Sequence, residues 1–196
     1  MKDYYHRRAP EYDDWWLGEG LYVPVPPKWA EERDELLITL EGMQPKRTLD
    51  VACGTGFVTL HLPGDVVGLD YSNAMVKVAA NRVKKARFVV GNALELPFED
   101  GSFERVFASH FYGHLEEADR VAFLAEARRV APEVVIVDSS LQGGMERNEW
   151  QDRVLKDGSQ WKVYKRYLST GTLLAELGGG MTLHSGRWFI AVRSPL

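Results

Sequence analysis

The stretch Leu49-Asp-Val-Ala-Cys-Gly-Thr-Gly56 decides the fold of this chain, because in it an apolar run enters a loop with two glycines. The run over residues 48–52 predicts a buried strand, and Gly54 and Gly56 predict a tight bend. A helical pattern begins at Phe57. A strand, a glycine loop and a helix in this order bring backbone N–H groups up to a ligand in α/β sheets. The stretch therefore predicts a ligand-binding α/β domain.

The rest of the chain has the composition of an ordinary soluble domain. Its 196 residues can bury a substantial core, and its net charge of -4 argues against binding nucleic acid by neutralising phosphates. A single cysteine, Cys53, excludes a disulfide framework and fits a reducing compartment. No apolar run reaches the roughly 20 residues of a membrane span, and the N-terminus has no signal-peptide core. We expect a cytoplasmic protein that binds neither nucleic acid nor membranes, with its oligomeric state left open.

Strands and helices alternate through most of the chain. After the first strand, further strands are predicted over 66–69, 86–90, 103–108 and 134–137. Helices are predicted over 29–40, 57–62, 72–83, 117–130 and 170–177. Two last strands, 181–184 and 188–192, are joined by so tight a turn that they must be antiparallel. The predicted fold class is therefore α/β, a three-layer Rossmann-like sandwich whose mostly parallel seven-stranded sheet ends in an antiparallel C-terminal hairpin.

The chain is expected to form a single domain over residues 1–196 with four parts. Residues 1–45 form an aromatic N-terminal segment and a helix, and residues 46–138 form the ligand-binding core. Residues 139–169 are an insertion on the substrate side, with a helix predicted over 146–156, and residues 170–196 form the last helix and hairpin. The seven large aromatic side chains in residues 1–29 either cover the core or form a lid over a ligand.

The glycine loop departs from the dinucleotide-binding pattern. That pattern needs a third glycine, and Thr59 stands where it would be. Asp50, just before the loop, suits a ligand with a cationic group nearby, such as an ammonium or a sulfonium. Asp70 follows at the tip of the second strand, where a carboxylate can accept both hydroxyls of a ribose.

Several segments, in the right order, resemble the class I S-adenosylmethionine-dependent methyltransferases. Residues 50–56 resemble their motif I, 67–72 the acidic end of their second strand, 91–98 their adenine loop and 103–106 their motif IV. Asn92 and Glu104 stand where the family usually has Asp. Residues 4–13 resemble the N-terminal segment of the small-molecule branch, which includes the ubiquinone- and menaquinone-type enzymes.

This resemblance implies S-adenosyl-L-methionine as the cofactor and methyl transfer as the reaction. In it, Asp70 would hold the ribose, Tyr71 would pack on the adenine, and Asn92 with Ala93 would read the adenine edge. The full set of implied cofactor-binding residues is Tyr5, Tyr12, Asp50, Ala52, Gly54, Gly56, Asp70, Tyr71, Asn92, Ala93 and Ser109.

Direct in-line transfer mainly needs a positioned acceptor, so a catalytic side chain is optional. His110 and Tyr112, which follow the fourth strand, are the expected catalytic residues. His114 is a further candidate in the same loop, and a structural role is the alternative for it. The aromatic segment and the acidic charge suit a small, partly apolar acceptor, and no metal is expected. Two other functions stay open, a non-catalytic module that binds S-adenosylmethionine and a nicotinamide-dependent oxidoreductase.

Overall fold

The computed structural model describes residues 1–142 and 147–195, and a seven-stranded sheet forms its centre. The strands are β1 Thr48–Val51, β2 Val66–Asp70, β3 Arg87–Val90, β4 Arg105–Ser109, β5 Glu133–Ser139, β6 Asn148–Val154, β7 Gln160–Arg166, β8 Met181–Ser185 and β9 Phe189–Arg193. The sheet order is β3-β2-β1-β4-β5-β9-β8. The first five strands are parallel, and β9 runs antiparallel to both β5 and β8. The predicted fold class is confirmed.

Helices cover both faces of this sheet. They are α1 Lys2–Arg8, α2 Asp14–Leu17, α3 Trp29–Glu41, α4 Asn73–Arg82, α5 Glu117–Val130 and α6 Thr170–Leu177. Alternate residues of β4 enter different cores: Val106 packs with residues of α5 and α6, whereas Phe107 packs with residues of α3. Because successive side chains of a strand point to opposite faces, a strand covered on both faces is apolar throughout. None of the described helices is long and apolar enough to cross a bilayer.

Local capping explains why the helices begin where they do. The hydroxyl of Ser72 accepts the N–H of Met75 at the start of α4, and that of Ser169 accepts the N–H of Thr172 at the start of α6. The helix predicted over 57–62 is wrong. Only Thr59–His61 forms a short 3₁₀ helix there, because the segment starts after a left-handed glycine and is stopped by a proline after few residues.

The insertion after β5 is also different from the predicted helix. β6 and β7 form an antiparallel hairpin, with Arg153 opposite Trp161, and Glu146 of the predicted helix lies outside the described residues. Exposure alternates along β6 residue by residue, as in a strand with two different faces. The inner face carries polar side chains such as Gln151 and Arg153 rather than apolar ones. The alternation of apolar and polar residues that predicts a strand is therefore missing from this segment.

The aromatic N-terminal segment serves both alternatives. Trp16 and Trp29 belong to the core beneath α3, where Trp16 is 2% exposed and stacks on Phe57 at 5.1 Å between ring centroids. Tyr5, Tyr12 and Trp15 line cavities at the edge of the sheet, and Trp29 also reaches one of them. The segment is held over the glycine loop by Asp13, whose carboxylate accepts a hydrogen bond from the Thr55 hydroxyl at 2.5 Å and pairs with Arg82.

Candidate active site

A cavity of about 240 Å³ opens where the parallel strands end. The loops after β1, β2, β3 and β4 all reach it, as expected of the carboxyl edge of a parallel sheet. It is lined by the predicted residues Tyr5, Tyr12, Ala52, Gly54, Asp70, Tyr71, Asn92 and Ala93, and by His110. The fold therefore brings together most of the residues that the sequence assigned to a cofactor.

Asp70 connects two of these loops. Its Oδ2 atom accepts the backbone N–H of Gly54 at 3.0 Å, and its Oδ1 atom accepts that of Ser72 at 2.8 Å. Burial raises the pKa of Asp70, and these backbone N–H groups oppose the rise. A carboxylate has about four acceptor positions, so those that remain can accept the two hydroxyls of a ribose.

The loop after β3 forms one part of the cavity lining. The Oδ1 atom of Asn92 accepts the N–H of Leu94 at 3.1 Å, which orients the amide on the cavity wall. Ala93 is buried beside it. The Lys2 ammonium lies 5.7 Å from the centroid of the Tyr71 ring. An amide that both donates and accepts, next to an aromatic ring, fits a purine.

Three of the predicted cofactor residues lie elsewhere. Gly56 has φ +74°, and an added Cβ would lie 3.1 Å from the Cβ of Ala79, so this glycine lets α4 pack against the loop. Asp50 and Ser109 lie beneath the loop at a pocket of about 10 Å³ rather than in the 240 Å³ cavity. Asp50 accepts the Thr59 hydroxyl, and burial raises the pKa of Asp50 to about 7.

Tyr112 is not placed for catalysis. It is 1% exposed, lines neither of the two larger cavities and donates its hydroxyl to Glu176 at 2.8 Å. Glu176 is also bound by Arg166 at 2.6 Å. The hydroxyl of Tyr112 thus ties the loop after β4 to α6, a structural role that does not support the predicted catalytic one.

A second and larger cavity, of about 550 Å³, adjoins the first. Its lining includes Trp15, Trp29 and Trp188, and also residues of the β6–β7 hairpin such as Gln151 and Arg153. Four residues line both cavities: Tyr5, Tyr12, His110 and His114. These four side chains therefore mark the place where ligands in the two cavities would meet.

His110 lies at this junction with an unusual backbone conformation, φ +51°. Its ring packs edge-on against Trp15 and Trp16, with centroids 4.6 Å and 4.9 Å away. Its Nδ1 atom lies 3.4 Å from the Ser139 hydroxyl, and its buried Nε2 atom has no partner among the described residues. Burial lowers the pKa of His110 to about 3, so the imidazole is neutral near pH 7.

A buried ion pair lies next to the junction of the two cavities. The Asp138 carboxylate binds the Lys165 ammonium at 2.6 Å and accepts the N–H of Gly113 at 2.7 Å. Burial alone would raise the pKa of Asp138, but the charge of Lys165 holds that pKa at about 2. The pair fixes β7 to the end of β5. Sequence reasoning missed Lys165 because the hairpin that carries it was not recognised.

His114 is fixed by the same hairpin. Its Nδ1 atom lies 2.6 Å from the carbonyl oxygen of Tyr164. Burial lowers the pKa of His114, and the positive charges of Lys165 and Arg153 lower it further. Among the residues that the structure describes, no three His, Cys, Asp or Glu side chains come together as possible metal ligands.

The central segment of the chain is similar to known methyltransferases. Residues 49–134 match the family described as "Methyltransferase domain". A demethylmenaquinone methyltransferase from Thermotoga maritima is 34% identical over 131 residues, which cover 64% of this chain and 54% of the relative. That from Bacillus subtilis is 33% identical over 127 residues, covering 58% and 52%. The chain thus spans about half the length of the curated relatives it matches.

Solved structures share the fold over nearly the whole chain. One described as a "DhpI-SAM-HEP complex" has a TM-score of 0.78 at 24% identity, covering 98% of this chain and 95% of that one. The PH0226 protein from Pyrococcus horikoshii has a TM-score of 0.67 at 20% identity and full coverage of both chains. At these identities the likeness concerns the fold, including the segments outside residues 49–134.

Proposed function

We propose that this chain, whose residues 49–134 match the family described as "Methyltransferase domain", is a class I S-adenosylmethionine-dependent methyltransferase that methylates a small molecule held in the 550 Å³ cavity. The observation that carries the proposal is the junction of the two cavities at Tyr5, Tyr12, His110 and His114. A donor in the smaller cavity and an acceptor in the larger one would come together there, enclosed by the N-terminal segment.

The smaller cavity suits S-adenosylmethionine. Asp70 has acceptor positions for the ribose hydroxyls, and Asn92 with Tyr71 borders the place for the base. Beside this cavity, Gly54 and Ala52 adopt left-handed backbone conformations. The resulting tight turn of the loop leaves room for the rest of the cofactor. When bound, this cofactor supplies a methyl group on a sulfonium, which is reactive enough for direct displacement.

The protein's own contribution is then to position the acceptor. The three tryptophans Trp15, Trp29 and Trp188 and the β6–β7 hairpin line the acceptor cavity. His110 presents a neutral imidazole there, whose Nε2 atom can accept a hydrogen bond from the hydroxyl or amine of an acceptor. His110 thus orients the acceptor, and the acceptor's proton leaves to solvent.

The curated relatives are named demethylmenaquinone methyltransferases, so a quinone-like acceptor is the second candidate for this chain. The aromatic wall of the larger cavity would suit a flat ring. A non-catalytic module that only binds the cofactor would leave unexplained why a larger cavity opens onto the smaller one. A nicotinamide-dependent function lacks support, since the loop has no third glycine.

Calorimetry with the purified protein tests the cofactor first. We expect S-adenosylhomocysteine to bind with micromolar affinity and NADH not to bind; the reverse result would contradict the proposal. Methyl transfer from labelled S-adenosylmethionine to a panel of small acids, quinols, phenols and amines then tests the enzyme. Binding without transfer to any member of so broad a panel would favour the non-catalytic module.

A further inference from the structure

The larger cavity carries positive charge that methyl transfer itself does not need. It is lined by Arg8, Arg153 and Lys165, whereas the acidic side chain in its lining is that of Asp152. Asp152 is 80% exposed and lies 3.7 Å from Lys162 on the outer face of the hairpin. Lys165 is neutralised by Asp138. Neither Arg8 nor Arg153 has a carboxylate within 4.0 Å in the described part of the chain.

Arg8 is buried, with 5% of its surface exposed, yet its partners are uncharged. It donates to the hydroxyls of Tyr4 at 2.9 Å and Tyr22 at 3.0 Å, and its guanidinium lies 4.8 Å from the ring centroid of Tyr12. The buried Nε–H group has no partner among the described residues. An ion removed from water without a counter-ion is costly, so an anion beside this side chain would lower that cost.

Arg153 approaches the same place from the β6–β7 hairpin. It donates to the amide oxygen of Gln151 at 2.7 Å and to the hydroxyl of Tyr4 at 3.4 Å. The hydroxyl oxygen of Tyr4 is therefore shared by the guanidinium groups of Arg8 and Arg153. Two positive charges that converge on one neutral oxygen repel each other. An anion between them or beside them would offset this repulsion.

The charge of Arg153 also reaches the junction of the cavities. After burial, the charges of Lys165 and Arg153 lower the pKa of His114, which lines both cavities, while the charge of Asp138 acts in the opposite direction. An acceptor in the larger cavity would therefore meet the positive charge of Arg153 as well as the aromatic rings of Trp15 and Trp188.

We propose that the acceptor is a small molecule with an oxyanion group, a carboxylate or a phosphate monoester, which binds to the guanidinium groups of Arg8 and Arg153. The planar donors of arginine match the paired oxygens of such groups. An uncharged quinone would leave both guanidinium groups without a counter-ion. This inference rests on the proposed function, because it names the class of molecule that the methyltransferase accepts.

The test is calorimetry on the full chain saturated with S-adenosylhomocysteine. Two pairs of probes differ in charge and little in shape: phenylacetate with phenylacetamide, and benzyl phosphate with benzyl alcohol. We expect the anion of at least one pair to bind about tenfold more tightly than its neutral partner, as hydrogen bonds to charged groups imply. The pair with the larger preference distinguishes the carboxylate from the phosphate source.

A variant and a matched control locate the effect. In Arg153→Met the preference for the anion should fall from about tenfold to about threefold, because Arg8 remains, whereas Lys162→Met, on the outer face of the same hairpin, should leave it unchanged. Equal binding of charged and neutral probes, or no saturable binding of either anion, overturns the anion site while S-adenosylhomocysteine still binds. If S-adenosylhomocysteine itself fails to bind, the proposed function falls, and the same titrations on the unliganded protein decide the anion site separately.

Discussion

The carboxylate of Asp70 accepts the backbone N–H of Gly54 at 3.0 Å, so the end of β2 holds the glycine loop that follows β1. The two residues were linked in sequence only by their expected contacts with one cofactor. The hydrogen bond shows that they also organise each other, because the carboxylate that would bind a ribose fixes the loop beside it. Substitutions here therefore act on the cofactor site and on local stability together.

Asp70→Asn tests this arrangement. The amide replaces one acceptor by a donor, which would face the N–H of either Gly54 or Ser72. We expect the affinity for S-adenosylhomocysteine to fall at least about tenfold, with a loss of about 1–3 kcal/mol in unfolding free energy. Calorimetry and urea unfolding measure the two effects. Asp65→Asn, at an exposed position before β2, is the control. An unchanged affinity would place the ribose elsewhere.

Gly54→Val tests the loop itself, with Gly101→Val as a matched control. Both glycines have left-handed φ angles, +56° and +65°. A valine is therefore conformationally strained at either position. An added Cβ lies 3.4 Å from the ring of Tyr12 at position 54, but meets nothing within 4 Å at position 101. We expect only Gly54→Val to abolish binding of S-adenosylhomocysteine. Equal losses in both variants would mean that strain alone is responsible.

Substitutions of Tyr112 and of His110 should have different effects on the rate of methyl transfer. Tyr112→Phe removes the hydrogen bond to Glu176, so we expect about 1–2 kcal/mol lower stability and an unchanged kcat. His110→Asn alters the junction of the two cavities, and we expect kcat/KM for the acceptor to fall at least about tenfold. Steady-state rates with the acceptor identified in the panel decide the matter, and a slower Tyr112→Phe enzyme would restore Tyr112 as a catalytic residue.

Asp50 makes stability depend on pH in a defined direction. Burial raises the pKa of Asp50 from 3.8 to about 7, so the folded chain holds this proton more tightly than the unfolded chain does. The resulting stabilisation is complete below pH 3.8 and is lost as the pH rises to 7. Asp50→Asn has no proton to lose.

We therefore expect Asp50→Asn to gain stability relative to the parent protein between pH 4 and pH 8, as measured by urea unfolding without cofactor. Asp65→Asn, exposed at the protein surface, should show no comparable gain. A difference between Asp50→Asn and the parent protein that stays constant with pH would contradict a raised pKa for this carboxyl group.

The sheet and its helices were predictable because their signals are local. Ser72 has the hydroxyl and position of a helix cap, and α5 covers the predicted residues 117–130. The two errors have different causes. Residues 57–62 are apolar, but a left-handed glycine before them and a proline after them leave too few residues for an α-helix. In residues 146–156 the inner face of β6 is polar because it lines a cavity, so the alternation of a strand does not appear in the hydrophobicity pattern.

The sequence by itself determined the order of strands and helices, the glycine loop and Asp70 at its side, since these follow from residue spacing and backbone preferences. Only the tertiary structure decided what surrounds the acceptor. Tyr4 and Arg153 lie 149 positions apart in the chain, yet they are in hydrogen-bond contact, and Arg8 shares the same hydroxyl. No local pattern links these residues, because the contact exists only after the N-terminal helix and the β6–β7 hairpin have packed over the same edge of the sheet.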